Sequence, residues 1–199
     1  ALSYVLVENP GNVTGAATGV FTGLSSGSYT VTVTDANGCF VTTAPVSVDD
    51  PPAISANTSI ISNYNVAHVS CFGASDGSIR TTATGGTGLL TYVLVEDPLN
   101  TSGDASGIYT GLSSGSYTVR VTDQNGCNVV TAAVVLNDPA QVTATSSVSS
   151  NFNGSDVSCN GAADGEITVV GAGGTGTLTY VLNEDITNTT GNLSGIYRH

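Results

Sequence analysis

A single spacing of 88 residues organises the whole chain. The triplet Tyr-Val-Leu occurs three times at this spacing, beginning at Tyr4, Tyr92 and Tyr180. Residues 1–50 align with 89–138 without a gap and share 32 identities, and residues 51–111 align with 139–199 with another 32. Solenoid repeats usually have periods of about 20–50 residues. The longer period therefore predicts a tandem array of small independent domains.

Proline residues mark the predicted domain boundaries. Pro51 and Pro139 each follow an aspartate at the end of an apolar, strand-like run, where proline cannot continue a strand ladder. We predict that residues 1–50 are the C-terminal part of one module, 51–138 a complete module and 139–199 the N-terminal part of a third. Because residue 1 falls inside a strand-like run, we expect the chain to be part of a longer protein.

The complete module is predicted to be an immunoglobulin-like β-sandwich. Tyr117, Val119 and Val121 alternate with polar residues, as in a strand with one buried face. Asn125 and Gly126 then form a dipeptide typical of tight hairpin turns. Several short strands separated by turns about every 8–12 residues indicate such a sandwich. The predicted strands are 53–61, 66–71, 78–84, 89–96, 107–112, 116–123 and 128–137.

The sequence Gly-Leu-Ser-Ser-Gly-Ser-Tyr-Thr-Val occurs twice and contains a G-x-S-x-G pattern. In serine hydrolases that pattern surrounds the nucleophile, which would be Ser25 or Ser113 here. Such an enzyme needs a histidine base, but the chain has only His68 and His199, and Asp156 replaces His68 in the next repeat. The motif also leads into a strand-like run rather than a helix. We therefore predict that the chain is not an enzyme.

The tyrosine of this repeated motif has a predicted structural role. Tyr29 and Tyr117 stand at the start of a strand, where many β-sandwiches have a tyrosine corner. In that arrangement the ring packs at the edge of the core and the hydroxyl bonds to backbone a few residues upstream. Gly115 would allow a sharp turn before the strand.

The charge of the chain excludes two classes of partner. The net charge is −12, there is no lysine, and the only cations are Arg80, Arg120 and Arg198. Three scattered arginines cannot neutralise a nucleic-acid backbone, and an anionic membrane surface would repel the chain. No apolar run approaches the ~20 residues of a membrane-spanning helix. We therefore expect neither nucleic-acid binding nor membrane insertion of this segment.

Acidic residues suggest one alternative to a purely structural module. Several lie at predicted strand ends or loops, where arrays of β-sandwiches often hold calcium between domains: Asp76, Glu96, Asp97, Asp104 and Asp123. No segment has the dense D-x-[DN]-x-[DN]-G spacing of a calcium loop. Aspartate before glycine is also an ordinary turn residue. We therefore expect no cofactor, with Ca²⁺ binding as the alternative.

Two cysteines occur in each period, which in an exported protein suggests one disulfide per module. The candidate pairs are Cys71 with Cys127 inside one module, or Cys39 with Cys71 and Cys127 with Cys159 between modules. Counting four strands between Cys71 and Cys127 places both at the same end of the domain and favours that pair. Cys39 and Cys159 would then have partners outside the chain. An extra strand hidden in 97–106 would separate Cys71 from Cys127, and free thiols are a further alternative.

Four motifs together resemble a known family. They are V-S-C-F-G-A-S-D-G at 69–77, G-G-T-G at 85–88, G-L-S-S-G-S-Y at 111–117 and V-T-D-Q-N-G-C at 121–127. The combination is similar to the SprB-type repeat of very large cell-surface adhesins of gliding bacteria, which are exported by type IX secretion. The chain departs from that pattern in its extended segment 51–66 and in the strand Y-V-L-V-E-D.

The resemblance implies an extracellular filament at the cell surface. The predicted function is a stalk or adhesin segment acting in surface adhesion or gliding motility, with neighbouring repeats of the same chain as its partners. Surface glycans, abiotic surfaces and self-association into fibres are further expected contacts. The alternatives are a carbohydrate-binding module or a calcium-rigidified extender of another giant adhesin.

Overall fold

The computed structural model describes residues 1–198, and every regular element in that range is a β-strand. Two compact units are present, one ending at Ala53 and one beginning at Ile54. No helix within the described range is long and apolar enough to cross a membrane. His199, one of the two histidines considered above, lies outside the described residues.

The first unit contains five short strands. They are β1 (Ser3–Leu6), β2 (Gly27–Tyr29), β3 (Val31–Thr34), β4 (Phe40–Thr42) and β5 (Val46–Val48). They form one sheet in the order β1-β3-β4 and a separate β2-β5 pair, all antiparallel.

The second unit begins with the complete module. Its strands are β6 (Ser55–Ile60), β7 (Gly77–Thr84), β8 (Thr91–Leu94), β9 (Ile108–Leu112), β10 (Gly115–Tyr117), β11 (Val119–Thr122), β12 (Asn128–Val130) and β13 (Val134–Leu136). The unit continues with β14 (Thr143–Val148), β15 (Glu166–Ala172) and β16 (Ile196–Arg198).

The complete module is a sandwich of two antiparallel sheets, as predicted. One sheet has the order β6-β7-β9 and the other β12-β11-β8, while β10 pairs with β13. Ile79 and Tyr109 from the first sheet pack against Leu94, Val119 and Val121 from the second, and all five are fully buried. Alternation along β11 leaves Arg120 exposed between two buried valines, which is the period-2 pattern seen in the sequence.

The 88-residue period is present in the strand pairing. Ser55 faces Thr84 in the β6–β7 pair, and the residues 88 positions later, Thr143 and Ala172, face each other in β14–β15. The sheet β1-β3-β4 likewise repeats β8-β11-β12. These equivalent sequences therefore form equivalent sheets, although the counterpart of β8 at 179–182 is not a strand.

Three of the predicted strands differ from the structure. No strand forms at 66–71, where Asn65 has a positive φ of 63° and Tyr64 pairs with Ala67 in an isolated bridge. Ala67 and Val69 are apolar because they close the end of the core from an irregular loop. The predicted strands 116–123 and 128–137 are each divided in two, because β10 pairs with β13 while β11 pairs with β12.

The segment 97–106 runs back along the sandwich as a series of turns. The Tyr92 amide donates to the Asp104 carbonyl oxygen over 3.0 Å, so the segment returns beside the start of β8. The buried ring of Tyr109 lies directly against Gly103, where any side chain would enter the ring. The chain therefore crosses the module along β7, β8, 97–106, β9 and β10–β11, which is five passes rather than four.

Candidate functional site

The complete module has two different ends. We call the loop 85–88 and the turn 123–127 the module head, and the loop 61–76 with residues 137–138 the module tail. β7 runs from tail to head over eight residues, which span about 26 Å at about 3.3 Å per residue. The head loop follows β7 directly, and its Thr87 amide bonds to Asp123 in the head turn.

The chain enters the module at the head and leaves it at the tail. The first strand begins at Ser55, which faces Thr84 at the head end of β7. The last strand ends at Leu136, whose side chain lies beside Gly77 at the tail end of β7. Asp138 then accepts a hydrogen bond from the Gly73 amide of the tail loop over 3.1 Å. Successive modules are therefore connected from tail to head.

One carboxylate organises the module head. Asp123 Oδ1 accepts the amides of Asn125 and Cys127 at 3.0 and 2.9 Å, and Oδ2 accepts the Thr87 amide at 2.9 Å. The side chain is almost fully buried. These donors, with the Thr87 amide first, hold the pKa of Asp123 below its usual value.

Two carboxylates and a histidine organise the module tail. Asp76 Oδ1 accepts the Ser70 amide at 2.9 Å, and hydrogen bonding from Ser70 lowers the pKa of that carboxyl group. Asp138 Oδ2 accepts the Ser114 hydroxyl at 2.6 Å. The His68 amide donates to the Asn137 carbonyl, and His68 Nδ1 accepts the Asn137 amide, both over 3.0 Å. His68 thus closes the tail rather than facing a nucleophile.

The tail of the complete module contacts the head loop of the next module, within the second compact unit. Thr175 belongs to the second Gly-Gly-Thr-Gly segment, 88 residues after Thr87. Its Oγ1 donates to the Ser70 carbonyl oxygen over 3.1 Å. A Cβ atom at Gly176 would lie 3.4 Å from the Asn65 side-chain nitrogen, so this glycine is also close to the tail loop. Apart from the repeated glycine-rich loop, no sequence pattern indicates this contact.

The repeated serine motif forms the turn between β9 and β10. Tyr117 is buried in the core, and its hydroxyl donates to the Ser113 carbonyl oxygen over 3.0 Å. Tyr29 makes the same bond to Ser25 over 2.9 Å. Each hydroxyl thus bonds to backbone four residues upstream. The His68 imidazole accepts the Asn137 amide through Nδ1.

The structure does not bring together the cysteines of the predicted intramodule pair. Cys71 lies in the tail loop and Cys127 in the head turn, at opposite ends of β7, and both are exposed free thiols. A disulfide requires Cα atoms within about 7 Å. The count of four strands is wrong because the segment 97–106 adds a fifth pass. Cys39 and Cys159 are also free and exposed.

The acidic residues considered for calcium are spread over separate turns. The Glu96 carboxylate accepts the amide and hydroxyl of Thr118 at 2.7 Å each, and Asp104 accepts the Tyr109 hydroxyl at 3.1 Å. No group of three or more potential metal ligands occurs among residues 1–198. The observed contacts are those of turn-forming residues.

A buried polar cluster escaped sequence reasoning. Thr58 in β6 hydrogen-bonds to Thr81 in β7 over 2.8 Å and to Thr131 over 3.0 Å. The Thr131 hydroxyl also accepts the Val119 amide at 3.1 Å. These bonds join the first strand of the module to the segment between its last two strands. Threonine is so frequent in this sequence that none of the three stands out.

Comparison with protein families identifies the repeat. The family model described as "SprB repeat" matches residues 63–95 and 151–187, whose starting points are 88 residues apart. The two matched segments, together about a third of the chain, are similar to that repeat. Each match includes the tail loop, the glycine-rich head loop and the strand-forming sequence between them. The chain has no significant match among curated proteins.

Three solved structures have some similarity to the chain. An intimin mutant of EHEC O157:H7 is 21% identical over 48% of this chain and 52% of that one, with a TM-score of 0.32. An intimin fragment solved with the intimin-binding domain of its translocated receptor is 13% identical, over 70% and 50%, with a TM-score of 0.31. Domains 4–9 of the surface layer protein SbsC are 17% identical over 86% of this chain and 27% of that one, with a TM-score of 0.26. The chain spans about half the length of the two intimin structures.

Proposed function

We propose that this chain is a stalk segment of a long adhesin on the cell surface, and that it has no catalytic role. The proposal rests on one observation: the chain enters the module at its head and leaves it at its tail. A domain connected in this way adds length with every copy. The SprB-repeat match supports a place in a surface adhesin exported by type IX secretion, with gliding motility or attachment as its use.

The interior of the module supports a mechanical role. Tension applied to the two ends loads β6, which begins near Ile54, and β13, which ends near Asp138. The buried Thr58–Thr131 hydrogen bond links the first strand to the last part of the chain. The core residues of the two sheets must separate before either strand can leave. Each module therefore resists extension as a unit.

Single-molecule pulling of the whole chain tests the proposal. We expect the complete module to unfold in one cooperative step. Its contour length should increase by about 250 Å, because about 85 residues at about 3.4 Å each replace a folded module. The variant Thr58→Val removes the hydrogen bonds of the Thr58 hydroxyl to Thr81 and Thr131 without changing the charge, and it should lower the unfolding force. Extension without a discrete step would contradict a stalk function.

Sugar recognition is the competing binding function. Phe72 and Phe40 expose 57% and 73% of their surface, and exposed aromatic rings are common platforms for sugars. Neither position is aromatic in the next repeat, where Asn160 and Asn128 occupy them. A ligand site shared by all modules would need these rings in each copy. Selective, saturable binding of the chain on a glycan array would overturn the stalk assignment in favour of this function.

Calcium dependence separates the stalk from a calcium-rigidified extender. The carboxylates at the head and tail accept backbone amides, so we expect the protein to fold without a divalent cation. EDTA should leave the melting temperature unchanged at constant ionic strength. Magnesium-EDTA provides the control for the charge of the chelator itself. A loss of several degrees that added calcium reverses would support the extender instead.

A further inference from the structure

Each module carries one cysteine at its tail and one at its head. Cys71 and Cys159 occupy equivalent positions in successive tail loops, and Cys127 and Cys39 occupy equivalent head turns. All four thiols are exposed. The length of β7 separates Cys71 from Cys127, which excludes a bond inside the module. Cysteines at both ends are suited to a bond between modules.

The tail cysteine lies at the observed contact between modules. The Ser70 carbonyl oxygen that accepts the Thr175 hydroxyl belongs to the residue immediately before Cys71. Cα atoms of adjacent residues are about 3.8 Å apart. The head loop of the following module therefore sits within a few ångströms of the Cys71 backbone.

The head cysteine is tied to the same head loop. Thr87 and Cys127 both donate their amides to the carboxylate of Asp123, at 2.9 Å each. One carboxylate shared between two amides keeps the two nitrogens within roughly 8 Å of each other. Thr87 is the counterpart of Thr175. In each module the head-turn cysteine is therefore close to the head loop. A tail that contacts the head loop of the next module also lies near the head-turn cysteine of that module.

We propose that consecutive modules are joined by a disulfide between the tail cysteine of one module and the head-turn cysteine of the next. Cys71 would pair with the residue 88 positions after Cys127. That position lies beyond residue 199. The inference deepens the proposed stalk function and rests on it. The bond would transmit tension across each junction.

The oxidation is an ordinary exchange with a low-molecular-weight disulfide such as oxidised glutathione. One cysteine thiolate attacks that disulfide, forms a mixed disulfide and releases one small thiol. The thiolate of the second cysteine then attacks the protein sulfur of the mixed disulfide and releases the other small thiol. Two protein thiols are thereby oxidised and one small disulfide is reduced to two thiols.

The test uses the full chain followed by a second copy of residues 112–138. This addition completes the third module in the 88-residue register and supplies its head turn. After equilibration in a glutathione redox buffer, free thiols are alkylated and the peptides are mapped by mass spectrometry. We expect one disulfide, between Cys71 and the cysteine of the added copy, with Cys39, Cys127 and Cys159 alkylated. The 199-residue chain treated in parallel should keep four free thiols.

Matched variants test whether the contact between modules favours formation of the disulfide. Thr175→Val removes the donor to Ser70 and should slow disulfide formation roughly fivefold, since a hydrogen bond contributes about 1 kcal/mol. Thr87→Val makes the same change in the head loop of the complete module and should leave the rate unchanged. Cys71→Ser should abolish the bond, with circular dichroism verifying that the variant is folded.

Three outcomes would overturn the proposal: five free thiols, a bond between Cys71 and Cys127, or disulfides only between separate chains. The stalk function is tested separately, by pulling the chain with its cysteines kept reduced, so none of these outcomes decides it. If the disulfide between modules forms but the chain extends without a discrete unfolding step, the disulfide would be confirmed and the stalk function contradicted.

Discussion

Tyr117 and Ser113 show how one short motif can be assigned the wrong chemistry. The serine pattern suggests a nucleophile, but the structure uses only the backbone carbonyl of Ser113, as the acceptor for the Tyr117 hydroxyl. The serine side chain is exposed. The motif is repeated because each module needs the buried tyrosine and the turn before it.

Tyr117→Phe should destabilise the module by about 1 kcal/mol, because it removes one hydrogen bond at the edge of the core while keeping the ring. Ser113→Ala keeps the accepting carbonyl and should change stability by less than about 0.5 kcal/mol. Urea unfolding followed by tyrosine fluorescence measures both. The reverse order of the two effects would refute the tyrosine corner.

Asp123 predicts the response of the fold to acid. Its pKa is lowered in the folded state, so the unfolded chain binds more protons in the acidic range and stability falls as the pH drops. The stabilisation should be complete above about pH 5 and be lost progressively below the ordinary aspartate pKa of about 4. Asp76, Asp164 and Glu8, whose pKa values are also lowered, act in the same direction.

Asp123→Asn should therefore destabilise the protein at pH 7, and the difference from the wild type should shrink towards pH 3. Asp97→Asn is the control, since it removes the same charge from a side chain that receives no hydrogen bond among the described residues. Denaturant titrations across this pH range provide the measurement. A constant difference at all pH values would contradict the role given to the carboxylate.

Among the elements, β9 depends on glycine for two different reasons. Gly107 and Gly111 both have positive φ values, of 72° and 73°. A side chain at Gly107 would collide with the Thr81 carbonyl oxygen, while Gly111, in the bulge between β7 and β9, has open space around it. Substitutions at the two positions can therefore distinguish the cost of backbone strain from the cost of a steric clash.

Gly111→Ala should cost about 1–2 kcal/mol, which is the usual cost of a left-handed conformation with a Cβ atom. Gly107→Ala should cost a further 1–3 kcal/mol or so, because the backbone of β7 must also move. Thermal unfolding of both variants measures the difference. Equal losses would mean that the Thr81 contact can relax freely.

Local sequence patterns predicted the strands but not the route between them. The alternation in β11 and the Asn125-Gly126 turn were visible because each depends only on near neighbours. The path of 97–106 depends instead on Gly103 lying against the ring of Tyr109, six residues later. That pair recurs as Gly15 with Phe21 and Gly191 with Tyr197, so the repeat did contain the signal. The apolar loop residue Val69 was mistaken for a strand residue because burial alone does not identify an element.

At the scale of the whole chain, the period predicted the array, while the contact between modules required the structure. Thr175 and Ser70 are 105 residues apart, and neither belongs to a recognisable interaction motif. The two cysteine positions were correctly seen as regular. That the two cysteines lie at opposite ends of the module became clear only from the structure, in which the chain makes five passes between them.

The length of the module can be measured between its own cysteines. With Cys39→Ser and Cys159→Ser, spin labels on Cys71 and Cys127 should give a distance distribution centred above about 25 Å, since β7 separates the two loops. Double electron–electron resonance on the whole chain provides the measurement. A distance below about 15 Å would place both cysteines at one end and restore the intramodule pair.

Entry at the head and exit at the tail also determine how such a gene can change. Because equivalent positions recur every 88 residues, loss or duplication of any 88 consecutive codons joins two equivalent points in the fold. The product keeps every strand pairing, and each junction still presents a Gly-Gly-Thr-Gly loop to a tail. Unequal recombination between the DNA segments that encode these repeats can therefore lengthen or shorten the protein by whole modules, without any compensating substitution.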